Sequence, residues 1–299
     1  MNPPEKITIV VVSDNLYAVL IAALIKSIEI NHKTSELISL YIIDDGISKS
    51  NKRKLQNTIN PEITTLHWLK SNTIIPADIK IPFDQSSYPF TIYLRLFAPY
   101  AISRDCKKFI YMDVDMLLYD DISKLFHIDL GENILGATQD SQELVSYPYA
   151  IQNYKELGLA AETKYFNSGL MLINREKWIE NNIAEKVMQC LHDNLKYIFY
   201  PDQYGLNVIL HDKWQVISNL WNYSDFFKIP PNPFLVHFTN IKPIFKSYNN
   251  SEKHKDEFYR ILNLTAFKDF KPKNDYHRKF KKGITKIKKF IYNKFNKAV

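Results

Sequence analysis

The chain opens on a pattern that leaves little freedom of fold. Ile7–Val12 is a run of apolar and β-branched residues, broken at the polar Ser13–Asn15, then followed by an apolar-rich stretch from Tyr17 to about Asn31 and a second apolar run, Leu37–Asp44. Apolar runs of strand length read as strands buried on both faces, and a helix-length stretch between two of them makes a β-α-β unit. Such units build a parallel sheet covered by helices. The alternation continues with a polar helix to about Thr58, a strand near Thr64–Leu69, an apolar helix in Phe90–Ile102 ending near Pro99, and a strand at Lys108–Met112. Asn133–Thr138 and Leu170–Asn174 read as further strands, Glu176–Tyr197 as one or two helices, and Phe234–Thr239 as a last apolar segment. The tyrosine- and glutamine-rich stretch from Asp140 to about Phe166 reads as an irregular, substrate-facing loop. The expected class is α/β, with a mainly parallel central sheet flanked by helices.

Composition narrows the function. With 299 residues, 45% of them hydrophobic, the chain has material for a sizeable core. No apolar run reaches the roughly 18 residues that span a bilayer, and the N-terminus lacks the basic start and small-residue cleavage site of a signal peptide, so a cytoplasmic location is expected. Cys106 and Cys190 stand far apart without paired spacing, which excludes a disulfide framework and a thiolate zinc site. The net charge of +7 is concentrated: from Lys271 onward there are eleven Lys and Arg against one Asp, which leaves the body mildly acidic. In that tail Phe280, Ile284, Ile287, Ile291 and Phe295 recur at helical spacing among lysines. Such a helix suits an anionic membrane surface, or else packs on the body with its lysines solvated. Nucleic acid is not an expected partner, because the basic residues are confined to this tail rather than spread over a folded face.

The chemistry centres on "FIYMDVDMLLYDD", where a buried-strand pattern ends in Asp113 and Asp115. One residue apart on an extended chain, the two carboxylates point to opposite faces, so they share a ligand only if the strand ends and turns there. They lie at the C-terminal edge of a parallel strand, where open α/β sheets bind ligands. Two carboxylates there suit a hard divalent cation that keeps positions open for a diphosphate; two aspartates of an ordinary surface turn are the plainer alternative. With seven glycines and neither a Gly-x-Gly-x-x-Gly nor a Walker A loop, a metal-bridged diphosphate fits better than a glycine-rich phosphate cradle.

Six segments in order resemble the family 8 retaining glycosyltransferases, bacterial galactosyl- and glucosyltransferases and glycogenin relatives with the GT-A fold. They are "IVVVSDNLYA", "FTIYLRLFAP", "KFIYMDVDMLLYDDI", "YFNSGLMLIN", "YPDQYGLN" and "VHFTNIKP", and the similarity runs from about Ile7 to Pro243. The resemblance implies a metal-dependent transfer of a hexose, galactose or glucose, from a UDP-sugar to a hydroxyl of a glycan or glycolipid such as lipopolysaccharide. It implies that Asp113, Asp115 and His237 hold Mn²⁺ (or Mg²⁺), that Val12, Asp14 and Tyr17 border uracil and ribose, and that Arg95 and Lys242 approach the diphosphate. Asp140, Asn167, Asp202 and Gln203 would line the donor-sugar pocket. With the resemblance reaching to about Pro243, the expected division is a catalytic domain, 1–245, and a helical C-terminal region, 246–299, whose basic amphipathic tail leads to an expected peripheral place at the inner face of the plasma membrane. Two departures stand out. The step from His237 to Lys242 is five residues where the family commonly has six, with Asn240 near a glycine position, and Leu16 stands where Asn is frequent.

Taken singly, these residues have plainer roles: His237 as a strand histidine, Asp202 as a helix N-cap, Asn167 and Ser168 as turn residues, Arg95 as a salt-bridged helix face. Two other functions stay open at the level of sequence. One is a haloacid-dehalogenase-type phosphatase with Asp113 as nucleophile, although Leu117 stands where that family has Thr or Val. The other is a non-catalytic nucleotide-sugar binding protein.

Overall fold

A computed structural model describes residues 6–82, 88–225 and 232–276, with 280, 283, 284 and 287. The first half follows the expected alternation: β1 (Ile7–Asp14), α1 (Ala18–Asn31), β2 (Ile38–Asp45), α2 (Lys49–Gln56), β3 (Thr64–Lys70), α3 (Leu94–Ala101) and β4 (Lys108–Met112). Then come β5 (Met116–Leu118), α4 (Ile122–Phe126), β6 (Leu135–Leu144), β7 (Lys164–Asn174), α5 (Arg175–Glu180) and α6 (Ile183–Asp193). The remainder is α7 (Pro201–Ile209), β8 (Trp214–Val216), β9 (Tyr223–Ser224), β10 (Leu235–His237) and α8 (Glu252–Leu262).

Seven strands form the central sheet in the order β3-β2-β1-β4-β7-β6-β8. All run parallel except β7, which is antiparallel to both β4 and β6. Apolar cores lie on both faces. Ile7, Ile9 and Val11 of β1 join the core containing α1, whereas Val10 joins the one containing Phe97 of α3. That is why the strand reads as a continuous apolar run rather than an alternating one. Helix α1 is buried nearly all round because it is sandwiched between the sheet and the C-terminal segment, whose Tyr248, Phe258, Ile261, Leu262 and Phe267 share its core.

Several expectations need correction. Helix α3 runs through Pro99 to Ala101 instead of stopping there. Its carbonyls are taken by side chains of α5: Arg175 Nε donates to Pro99 O at 2.7 Å and Trp178 Nε1 to Leu96 O at 3.1 Å. The stretch 140–166 is only partly irregular, because β6 reaches Leu144 and β7 begins at Lys164. Two register shifts interrupt their pairing, which erases the two-residue hydrophobic period that would have betrayed the strands. Glu176–Tyr197, expected as one or two helices, agrees with that expectation and is two, α5 and α6, parted at Asn182, whose φ of 52° is left-handed.

A second sheet, β5-β10-β9, has no counterpart in the sequence pattern. Its first strand is anchored to α1, since Ser27 Oγ accepts from Leu118 N at 3.1 Å and Asn31 Nδ2 donates to Leu118 O at 3.1 Å. Strand β10 runs antiparallel to β5 with His237 opposite Met116. Among the described residues no helix is long and apolar enough to cross a membrane. Phe280, Ile284 and Ile287 of the tail are helical and exposed; Ile291 and Phe295 lie outside the described residues.

Candidate active site

The strand β4 does end at Met112, and the chain bends over Val114 and Asp115 before resuming as β5. Backbone bonds fix the bend from both sides: Asp113 N donates to Gly169 O of β7 and Phe238 N, just past β10, donates to Asp115 O, each at 2.8 Å. The bend turns both carboxylates the same way. Asp113, Asp115 and His237 each offer a ligand atom within 4.8 Å of the others.

This set fits a divalent cation. Two carboxylates and an imidazole are the donors of a borderline-hard ion such as Mn²⁺. A Cβ at position 169 would stand 2.8 Å from His237 Cε1 and 3.0 Å from Asp113 Oδ2, so only glycine leaves the space between these groups open. His237 Nδ1 donates to Asn222 Oδ1 at 2.9 Å, which fixes the ring and turns Nε2 to the carboxylate side. Asn222 is itself oriented, donating through Nδ2 to Asn167 Oδ1 at 2.9 Å.

The electrostatics of the two aspartates differ. Burial works against charge on Asp115, but Lys242 and His237 outweigh it and hold the carboxyl well below the usual range; Lys242 Nζ contacts Oδ2 directly, and His237 Nε2 lies 3.5 Å from Oδ1. Burial instead lifts the Asp113 carboxyl, opposed by Arg95 and reinforced by the charge of Asp115. A further positive charge between them is therefore favourable.

Arg95 joins this corner to the rest of the site. Buried, with its guanidinium 4.6 Å from the Tyr111 ring centroid, it donates to Asp113 Oδ1 at 3.0 Å and to Ser168 O at 2.9 Å, and pairs with Asp202 Oδ2 at 3.2 Å. Asp202 lies in the first turn of α7, after Pro201, and accepts from Ser168 Oγ at 3.0 Å. Gln203 Oε1 accepts from Ser168 N at 3.0 Å, and its amide donates to Asp140 Oδ2 at 3.3 Å, where Asn167 Nδ2 also donates at 2.7 Å. Arg95, Asp140, Asn167, Asp202, Gln203 and Lys242 thus line one cleft of about 900 Å³ together with Asp113, Asp115 and His237. Val12, Asp14 and Tyr17 are not in its lining. They stand at the end of the neighbouring strand β1, where Asp14 Oδ1 accepts from Leu16 N at 2.9 Å and Tyr17 N at 3.2 Å at the start of α1.

Asn240 has φ 67°, so the turn between His237 and Lys242 needs the left-handed conformation that glycine, or next best asparagine, adopts. The five-residue step carries Lys242 back onto Asp115, and its ammonium also donates to Phe238 O at 2.8 Å. Asn222 and Asp225 were missed in the sequence. Asp225 is buried, accepts from Tyr248 Oη at 2.7 Å and Asn250 Nδ2 at 3.1 Å, and donates through its backbone N to His237 O at 3.2 Å, tying the C-terminal segment to β10. Neither residue belongs to a spaced motif, and only the pairing of β9 with β10 brings them to the site.

The sequence model of glycosyl transferase family 8 matches residues 8–264. General stress protein A of Bacillus subtilis strain 168 is 29% identical over 289 residues, covering 89% of this chain and 96% of that protein. The lipopolysaccharide 1,2-glucosyltransferase of Escherichia coli K12 is 29% identical over 119 residues, 40% of this chain and 34% of that one. Other relatives are also longer, the chain spanning 48% of the glycosyltransferase GlyF of Streptococcus pneumoniae. The solved structure of the galactosyltransferase LgtC with donor and acceptor sugar analogs superposes with a TM-score of 0.71 at 23% identity, over 87% of this chain and 96% of that one. At that identity the likeness establishes the fold, GT-A.

Titrating Mn²⁺ into the protein and following the free-ion electron paramagnetic resonance signal tests the cation site. The wild-type chain is expected to take up one ion, Asp115→Ala to lose it, and Asn222→Ala to weaken it about tenfold through the freed imidazole. Equal uptake by all three would place the ion elsewhere.

Proposed function

The chain belongs to glycosyl transferase family 8, and on that premise we propose that it moves a hexose, galactose or glucose, from a UDP-sugar to a glycan hydroxyl with retention of configuration. One observation carries this reading. A cation-binding set, Asp113, Asp115 and His237, shares a cleft with a group of polar side chains suited to sugar hydroxyls, Asp140, Asn167, Asp202 and Gln203. Transfer from a nucleotide sugar needs both halves: a place for the diphosphate to gather charge as it leaves, and a place that holds the sugar.

A bound Mn²⁺ would supply Lewis-acid neutralisation of the departing diphosphate. Lys242, on the same side of Asp115, is placed to give its ammonium to the diphosphate oxygens once they compete with the carboxylate. The donor-sugar hydroxyls would exchange for the bonds that Asp140, Asn167 and Gln203 make with one another. Gln203 is an amide and a poor nucleophile, and the Asp202 carboxylate is held by Arg95 and Ser168. Both facts favour same-face attack, in which an oxygen of the departing phosphate takes the acceptor proton. A phosphatase with Asp113 as nucleophile is disfavoured, because its Oδ1 is held by Arg95 and by Tyr111 Oη, each at 3.0 Å.

The similarity to a lipopolysaccharide glucosyltransferase supports a cell-surface glycan as acceptor. Residues 1–245 would carry the catalytic domain and 246–299 a helical region whose tail meets an anionic membrane; the exposed Phe280, Ile284 and Ile287 beside lysines support this. The full chain is then expected to sediment with anionic vesicles, and a chain ending at Tyr276 to stay in solution. Equal partition of the two would remove the tail from membrane binding.

The activity itself is read as UDP release from a panel of UDP-sugars, with Mn²⁺ or with chelator. Turnover of one UDP-hexose is expected, reduced by at least about a hundredfold by chelator and by Asp115→Asn. Turnover indifferent to both, or of no UDP-sugar even with glycan acceptors present, would contradict the proposal.

A further inference from the structure

Large aromatic side chains gather in the open at one lip of the cleft. Tyr88 and Tyr200 line the cleft and meet edge to face, ring centroids 6.1 Å apart. Outside the cleft lining, Tyr149 and Phe199 meet edge to face at 5.3 Å and 86°. Tyr149 is 54% exposed and Phe199 40%, and rings exposed in contact with one another, rather than singly, mark a binding surface. The two pairs are joined through the chain, since Phe199 and Tyr200 are consecutive residues. Tyr200 also stands at the N-cap position of α7, the helix that begins with Pro201, Asp202 and Gln203, so the surface adjoins the proposed donor-sugar pocket.

The surface is held firmly for a feature built on loops. Tyr197 Oη donates to both oxygens of Glu156 at 2.9 Å, Tyr204 Oη donates to Asn153 Oδ1 at 2.7 Å, and Asn153 Nδ2 donates to Asn194 Oδ1 at 2.8 Å. These bonds pin the loop carrying Tyr149 to the connection carrying Phe199. Rings fixed in advance cost little entropy when a ligand lies on them.

We propose that Tyr149 and Phe199, continuing outward from Tyr88 and Tyr200, are an acceptor platform on which a second sugar ring of an oligosaccharide stacks while the first reaches the donor. This rests on the glycosyltransferase reading and narrows it: the acceptor is a saccharide of at least two sugars. The occupant follows from the chemistry. The acceptor must enter the cleft that the platform opens from, and a pyranose presents one face of C–H bonds that suits the negative face of an aromatic ring, with hydroxyls around the edge for water and tyrosine. An aliphatic partner surface would have no need of rings, most of them carrying hydroxyls.

The test compares methyl glycosides of one, two and three hexoses as acceptors for the full chain. Wild type is expected to favour the longer glycosides, and Tyr149→Ala or Phe199→Ala to raise their KM about tenfold, the effect of removing one stacked ring, with the KM of the UDP-sugar unmoved. Tyr149→Phe is expected to keep the wild-type KM, because the ring and not the hydroxyl does the holding. A wild type indifferent to glycoside length overturns the proposal, as do alanine variants that treat the three-hexose glycoside as wild type does, or transfer to polypeptide in place of sugar. If wild type releases UDP from no donor, the functional reading fails by itself. The platform is then decided by saturation-transfer NMR with the three-hexose glycoside: saturation of the sugar protons by wild type that disappears in Tyr149→Ala supports it, and no saturation by wild type overturns it.

Discussion

The site hangs on one buried cation. Arg95 enters from α3, beneath the ends of the strands, and its guanidinium satisfies Asp113 at the end of β4, Asp202 at the start of α7 and the carbonyl of Ser168 in β7. A buried charge is tolerable only when paired, so each of the three depends on the others being in place. The Asp113–Asp115–His237 corner and the Asp140–Asn167–Asp202–Gln203 group, built from segments far apart in the chain, are thereby held at a fixed relation. Removing the guanidinium would leave two carboxylates facing each other without a cation, a loss of about 3–5 kcal/mol by the usual cost of breaking such a pair.

The second constraint is the small sheet. A parallel strand ending in Asp-x-Asp points its carboxylates apart, and the bend into β5 brings them together. That bend holds because β5 is gripped from behind by Ser27 and Asn31 of α1 and from the front by β10. The same pairing delivers His237 to the aspartates, and Asp225 with Tyr248 and Asn250 braces β10 from the C-terminal segment. The C-terminal segment as far as Phe267 is therefore part of what shapes the Asp113–Asp115–His237 corner, which it reaches through the core it shares with α1.

How legible this was in the sequence follows from the physics of each part. The strands β1, β2 and β4 are buried on both faces and read directly as apolar runs. The reversed direction of β7 left no trace, because a buried antiparallel strand between two neighbours has the same composition as a parallel one. The bulged arms of β6 and β7 lost their alternation and passed for loop. Asp113 and Asp115 were visible as a pair but silent as to purpose; a local pattern does not say whether a strand bends. His237, Arg95 and Asp202 each had a commoner explanation, and no local pattern could show that the fold brings all three to one cleft. Asn222 and Asp225 had no signal at all, since their roles arise from pairing between distant strands.

On the proposed function, Asp113, Asp115 and His237 would form with Lys242 a diphosphate site whose two ligands bind cooperatively. Calorimetric titration of UDP into the protein, once with saturating Mn²⁺ and once with chelator, measures that coupling directly. UDP is expected to bind at least about tenfold more tightly with the ion, a coupling of roughly 1.4 kcal/mol or more. Equal affinity in the two titrations would mean that the cation and the nucleotide do not meet, and that Asp113, Asp115 and His237 serve some other end.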